Sequence, residues 1–189
     1  MGMLHMAVDF TSMIRIFKSE TKKEIILKLI EDLKAIKKKD FDQWHEKFCK
    51  WGIKKLKPSN INAKKVSYGQ IANTLNVLLK VMVYYCKMPN EAEANKIIPL
   101  LHPAIDNKII GYLREKYPNE VPKRISSIAS VDEEKYHKLC LLVSKEINKD
   151  SKFKGLNTIQ WEDIIWLMLS NKDYGRIKPN LTRKHLFNK

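Results

Sequence analysis

The sequence predicts an all-α protein: a single multi-helix domain of six or seven helices around a buried central helix at about 67–86, with a basic C-terminal extension. Three observations carry this. Nearly every long segment repeats its apolar residues with the 3.6-residue rhythm of a helix, and none sustains a two-residue strand alternation. No period of about 20–50 residues recurs, which argues against a solenoid. From residue 71 to 86, 12 of 16 residues are apolar, as in a helix enclosed by others on nearly every side.

The elements follow in order. Residues 1–12, with their crowded methionines, read as a leader of vector origin and are set aside, leaving 13–170 as the helical domain. A first helix is expected from about Glu20 to Lys38, with Ile25, Ile26, Leu29, Ile30, Leu33 and Ile36 as its apolar stripe. Asp40 and Gln43 have capping-box spacing for a second helix, which carries Phe41, Trp44, Phe48 and Trp51 on one face and is ended by Gly52 and then Pro58. After the polar connection 58–66, the third helix starts near Ser67. A short fourth covers about Glu91–Leu101, and a fifth runs from Ala104 to Lys116 between two prolines. The stretch "YPNEVPKRISSIAS" is the internal loop, rich in turn formers. Ser130 and Glu133 then suggest a capping box for a helix burying Tyr136, Leu139, Cys140, Val143 and Ile147. The last helix, about 158–170, is too apolar for a surface position. Residues 171–189 lose the periodicity and form the basic tail.

Composition narrows the function classes. The net charge of +15 comes from 36 basic against 21 acidic residues, the footprint expected of a protein that meets a polyanion. The basic set is 31 Lys and 5 Arg, which suits phosphate contacts better than base readout, because Lys lacks the bidentate fork of Arg. Coding bias toward Lys explains the same excess equally well. Three scattered cysteines, Cys49, Cys86 and Cys140, read as buried thiols. Asn76, Lys80 and Lys87 interrupt the most apolar run short of the roughly 20 residues that span a bilayer. No membrane partner and a cytoplasmic location are the expectations.

Several short patterns in the sequence resemble functional sites. "SYGQIANTLNVLLKVMVYY" begins like the positioning half of a helix-turn-helix. Its recognition half, Leu78–Tyr85, holds seven apolar or aromatic residues of eight and cannot offer polar groups to bases. His45/Cys49 and His137/Cys140 each share a helical face, yet the short bracketed loops of a zinc finger are missing, so neither a metal nor a cofactor is expected. His102 lies four residues before Asp106, a carboxylate able to orient it, with no nucleophile elbow beside it.

The leading expectation is therefore a non-enzymatic helical binding protein that contacts nucleic acid phosphates with little sequence specificity. The expected contact residues are Lys37, Lys38 and Lys39, Lys54 and Lys55, and Lys172, Arg176, Lys178, Arg183 and Lys184 of the tail. The alternative is a protein-interaction or self-associating module whose charge is compositional, with an exposed apolar patch at Trp161, Trp166 or the 41–51 stripe. A third is an enzyme with an unfamiliar site near His102.

Overall fold

A computed structural model describes residues 19–33, 40–59 and 65–170. The leader, Lys37–Lys39 and the tail lie outside them. Seven α-helices and no strand occur among the described residues, as an all-α single domain requires. They are α1 (Ser19–Leu33), α2 (Phe41–Lys55), α3 (Tyr68–Leu79), α4 (Glu91–Ile97), α5 (Asn107–Lys116), α6 (Glu133–Lys149) and α7 (Thr158–Ser170).

The central helix is α3. Ile71, Ala72, Leu75, Leu78 and Leu79 are all but inaccessible to solvent, and the chain continues as a π-helical segment over Lys80–Tyr85. Helices α2 and α6 and the 3₁₀ turn Ile128–Ser130 pack on α3, while α5, α6 and α7 pack on one another. Ser67 starts α3 with the full capping box: its hydroxyl accepts from the Gln70 N–H at 3.2 Å and the Gln70 side chain accepts from the Ser67 N–H at 3.0 Å.

Two glycines allow close approach to α3. A Cβ on Gly52 would lie 2.7 Å from Ile71 Cγ2, and one on Gly69 would lie 2.6 Å from Val131 Cβ. Gly52 therefore belongs inside α2 at the crossing and does not end it. The helix ends at Leu56, whose extended backbone leaves its N–H bonded to the Gly52 carbonyl.

Asp40 stands at the N-cap of α2 as expected, without a side-chain hydrogen bond. Two other boundaries differ from the sequence expectation for local reasons. Helix α5 begins at Asn107 because Asp106, in extended conformation, caps it by accepting from the Ile109 N–H at 2.9 Å, while the Ala104 N–H is bonded to the Glu162 carboxylate at 2.9 Å. Helix α6 is capped by Asp132 and not Ser130. The Gly69 N–H holds the extended Val131 through its carbonyl, and Ser130 is spent on the preceding 3₁₀ turn with Ser127.

Helix α7 departs most from expectation. Trp161, Ile159 and Ile165 are fully enclosed, whereas Trp166 and Leu167 are 44% and 46% exposed. No helix among the described residues is long and apolar enough to cross a membrane.

Candidate functional site

Of the residues expected to meet phosphate, Lys54 and Lys55 are described. Both are exposed on the last turn of α2, where cations also favour the carbonyl end of the helix dipole. Lys37, Lys38, Lys39, Lys172, Arg176, Lys178, Arg183 and Lys184 lie outside the described residues. Lys57 and Lys65 continue the series beside Lys54 and Lys55, and none of these four forms an ion pair among the described residues. From Lys47 to Asn90 the chain has no Asp or Glu.

Elsewhere on the helical body eight lysines are neutralised. Lys28, Lys50, Lys80, Lys96, Lys135, Lys138, Lys145 and Lys152 each pair with a carboxylate. The described residues hold 23 basic and 19 acidic side chains, a net of +4. The other +11 of the +15 belongs to residues 1–18, 34–39, 60–64 and 171–189.

The second constellation is a buried polar chain across α2, α3 and α6. Asn76, on the central helix α3, is 1% exposed. Its Nδ2 donates to the Pro103 carbonyl and to the Tyr136 hydroxyl, each at 2.8 Å. Its Oδ1 accepts from His45 Nε2, also at 2.8 Å. The Tyr136 hydroxyl meets His102 Nδ1 at 3.1 Å, and His102 Nε2 donates to Asp42 Oδ1 at 3.0 Å. At the inner end, Cys49 Sγ is 3.8 Å from His45 Nδ1.

The polarity of this chain is determined by its two acceptor-only groups. The Pro103 oxygen has no proton to give, so Asn76 must turn its amide nitrogen that way and its oxygen toward His45. His45 therefore carries its proton on Nε2 and offers Nδ1 to the Cys49 thiol. Asp42 can only accept as a carboxylate, so His102 carries its proton on Nε2. Tyr136, already accepting from Asn76, is free to donate to His102 Nδ1. Every bond is satisfied with both imidazoles neutral. Burial pushes the His45 pKa down to about 3, with His102 and His137 adding to the effect. Burial also lowers His102, against the opposing pull of Asp42. The thiol of Cys140 is pushed up to about 12 by burial, and that of Cys49 is raised further still, so neither is a nucleophile at neutral pH.

This arrangement corrects the pairing suggested by the sequence around His102. Asp106 is spent elsewhere: it accepts from the Ile109 N–H at 2.9 Å and from Trp166 Nε1 at 3.2 Å, while the partner of His102 is Asp42, 60 residues away. Two clefts open on the surface. One, of about 350 Å³, lies between Lys65–Tyr68 and Ala129–Glu133, and the other, of about 380 Å³, between Tyr117 and Asp150. His102 lines neither. The two His/Cys pairs do border one region, since His45 stacks on Tyr136 at 5.8 Å and His137 meets that ring edge-on at 5.7 Å. Among the described residues no three His, Cys, Asp or Glu side chains converge on a metal position. The sequence signal for the polar chain was available in Asn76, a large amide at the centre of an apolar helix.

A family-model search, a search of curated proteins and a search of solved structures each returned no match to this chain.

Proposed function

We propose that the chain is a non-enzymatic helical binding protein that holds nucleic acid through phosphate contacts from its lysine-rich segments, with little sequence specificity. The observation that carries this reading is the partition of charge. The helical body is nearly balanced, with eight of its lysines paired, whereas Lys54, Lys55, Lys57 and Lys65 lie in a stretch, Lys47 to Asn90, that contains no Asp or Glu. Most of the excess lies on the short segments 34–39 and 171–189, which hold 4 and a net 5 positive charges. A purely compositional bias would place lysine evenly. The scarcity of Arg limits base readout and leaves the salt-sensitive backbone term to supply the affinity. Binding of the full chain to mixed-sequence DNA and RNA, titrated over a range of salt, tests this. Affinity should fall steeply as salt rises and depend little on sequence. Absence of binding at low salt overturns the proposal.

The exposed Trp166 and Leu167 favour a second reading, a protein-interaction or self-associating surface on α7. Trp161, fully buried, is removed from that patch. In the 41–51 stripe Phe41 and Phe48 are buried and Trp44 and Trp51 half-buried. Sedimentation showing a mass that rises with concentration, and falls back in Leu167→Glu, is the expected result under this reading. A monomer at all concentrations discards self-association.

A further inference from the structure

We infer that Tyr85 and Trp166 form a stacking platform for unpaired bases, which makes single-stranded nucleic acid, and not duplex, the preferred ligand. The inference rests on the phosphate-binding reading above and adds the groups that tell the two forms apart. Trp166 and Tyr85 are 44% and 57% exposed, in a fold that encloses Trp161 and Tyr136 completely. Both rings are tethered. The indole Nε1 donates to Asp106 Oδ2 at 3.2 Å, and the Tyr85 hydroxyl donates to Asp163 Oδ2 at 2.8 Å. Each tether is itself held, Asp106 by capping α5 through the Ile109 N–H and Asp163 by pairing with Lys80. Asp163 precedes Trp166 by three residues and Leu167 by four on α7. The anchor of Tyr85 therefore rises from the same helix face as the indole, about one turn away.

With their polar edges engaged, the two rings have only their flat faces to offer, and they hold those faces in place before a ligand arrives. Cations stand beside them. Lys108 Nζ lies 4.2 Å from the centre of the Trp166 ring. Tyr85 meets Tyr84 edge-on at 5.1 Å, and Lys87 Nζ lies 5.4 Å from the Tyr84 ring. An aromatic face next to an ammonium group matches a base next to its phosphate. Asp106, Glu162 and Asp163 are offset in number by Lys80, Lys87 and Lys108, so the surroundings of the rings carry no net charge to repel a phosphate. The segment 171–189, with its net charge of +5, starts five residues after Trp166 in the chain. An apolar protein partner would need continuous apolar area, and here Asp106, Lys108 and Asp163 interrupt it. Duplex DNA and RNA bury their base faces in their own stack, whereas an unpaired base presents its face to any ring. Stacking is also tolerant of sequence, in keeping with the scarcity of Arg.

The full-length chain titrated against a labelled mixed-sequence oligonucleotide, as a single strand and as its duplex in the same buffer, tests the platform. Anisotropy of the label gives both affinities, and tryptophan emission reports the ring contact. The single strand should bind about tenfold more tightly than the duplex and quench the emission, as one base on one aromatic ring does. Trp166→Leu should remove most of that preference and most of the quenching, because Trp161 is enclosed and Trp44 and Trp51 are half-buried. Tyr85→Leu should lower the preference as well. If Trp166→Leu does not fold, Tyr85→Leu and the quenching of the unaltered chain decide. Equal affinity for the two forms, or a preference unchanged in the folded variants, overturns the platform while leaving the phosphate reading in place. Failure to bind either form overturns both. A self-associated form that Trp166→Leu disperses, with nucleic acid binding intact, assigns the face to a second copy and overturns the inference.

Discussion

Asn76 Nδ2 and the Pro103 carbonyl oxygen lie 2.8 Å apart, and this contact sets the direction of the hydrogen bonds from Asn76 to Tyr136 and through His45 to Cys49. It joins the central helix to the turn before α5 through an amide that is 1% exposed. Removing that amide strands the Pro103 oxygen, His45 Nε2–H and one lone pair of Tyr136 in a dry interior. Each stranded buried group costs about 1–3 kcal/mol. Asn76→Leu should therefore destabilise the fold by about 3 kcal/mol or more in urea denaturation. A variant as stable as the unaltered chain would show that the network adds nothing.

Stability should also fall in acid. The buried imidazole of His45, with its pKa near 3, binds fewer protons in the folded protein than in the unfolded chain. Its stabilisation is present above the ordinary histidine value of about 6.5 and declines as pH drops from there toward 3. Each such group contributes a slope of about 1.4 kcal/mol per pH unit in that window. His102, also lowered, adds in the same direction. Glu162 opposes, because burial raises its pKa and the folded state then holds its proton more tightly than the unfolded chain does. Urea midpoints at pH 7 and pH 5 should differ, and His45→Gln should flatten the difference.

Three glycines should respond differently to alanine. At Gly69 the new methyl would meet Val131 Cβ at 2.6 Å and the Ile128 backbone oxygen at 2.7 Å, so the loop must move. At Gly52 it would meet the Ile71 side chain, also at 2.7 Å. Losses of about 1–3 kcal/mol are expected at both, larger at Gly69 because backbone yields less than a side chain. Gly111 has nothing within 4 Å of an added Cβ, and Gly111→Ala should stabilise α5 by about 0.5–1 kcal/mol. Thermal melts that rank the three otherwise would contradict this packing account.

For nucleic acid the expected signature is the slope of log affinity against log salt. Each phosphate contact contributes about 0.9 to that slope on duplex DNA. Replacing Lys54 and Lys55 together with Gln should lower the slope by about two and leave the melting temperature nearly unchanged, since both are exposed and unpaired among the described residues. A slope equal to that of the unaltered chain would remove these two residues from the interface.

The helices were legible in the sequence because burial imposes its period on the residues. Ile25, Ile26 and Leu29 of α1, and Tyr136, Leu139, Val143 and Ile147 of α6, are buried as their spacing predicts. The boundaries were less legible where a distant group claims a backbone atom. Ala104 is held by Glu162 and Val131 by Gly69, and neither hold leaves a mark in the local sequence. Gly52 illustrates the same limit: beside a helix end a glycine reads as a stop, yet here it makes room for Ile71. Among the candidate site residues, the oriented histidine was visible, but its partner came from another helix. An i,i+4 carboxylate like Asp106 is the natural local guess, and the need to cap α5 had already committed it.

The near-balance of charge on the helical body has a consequence for how such a protein can change. Whatever the lysine-rich segments hold, those described sit on the rim of the fold, at the end of α2 and before α3, and not in its core. Lysines gained or lost there would retune attraction to a polyanion with little effect on self-repulsion within the packed helices. Adhesion and foldedness would then be open to selection separately, so variation in the one need not jeopardise the other.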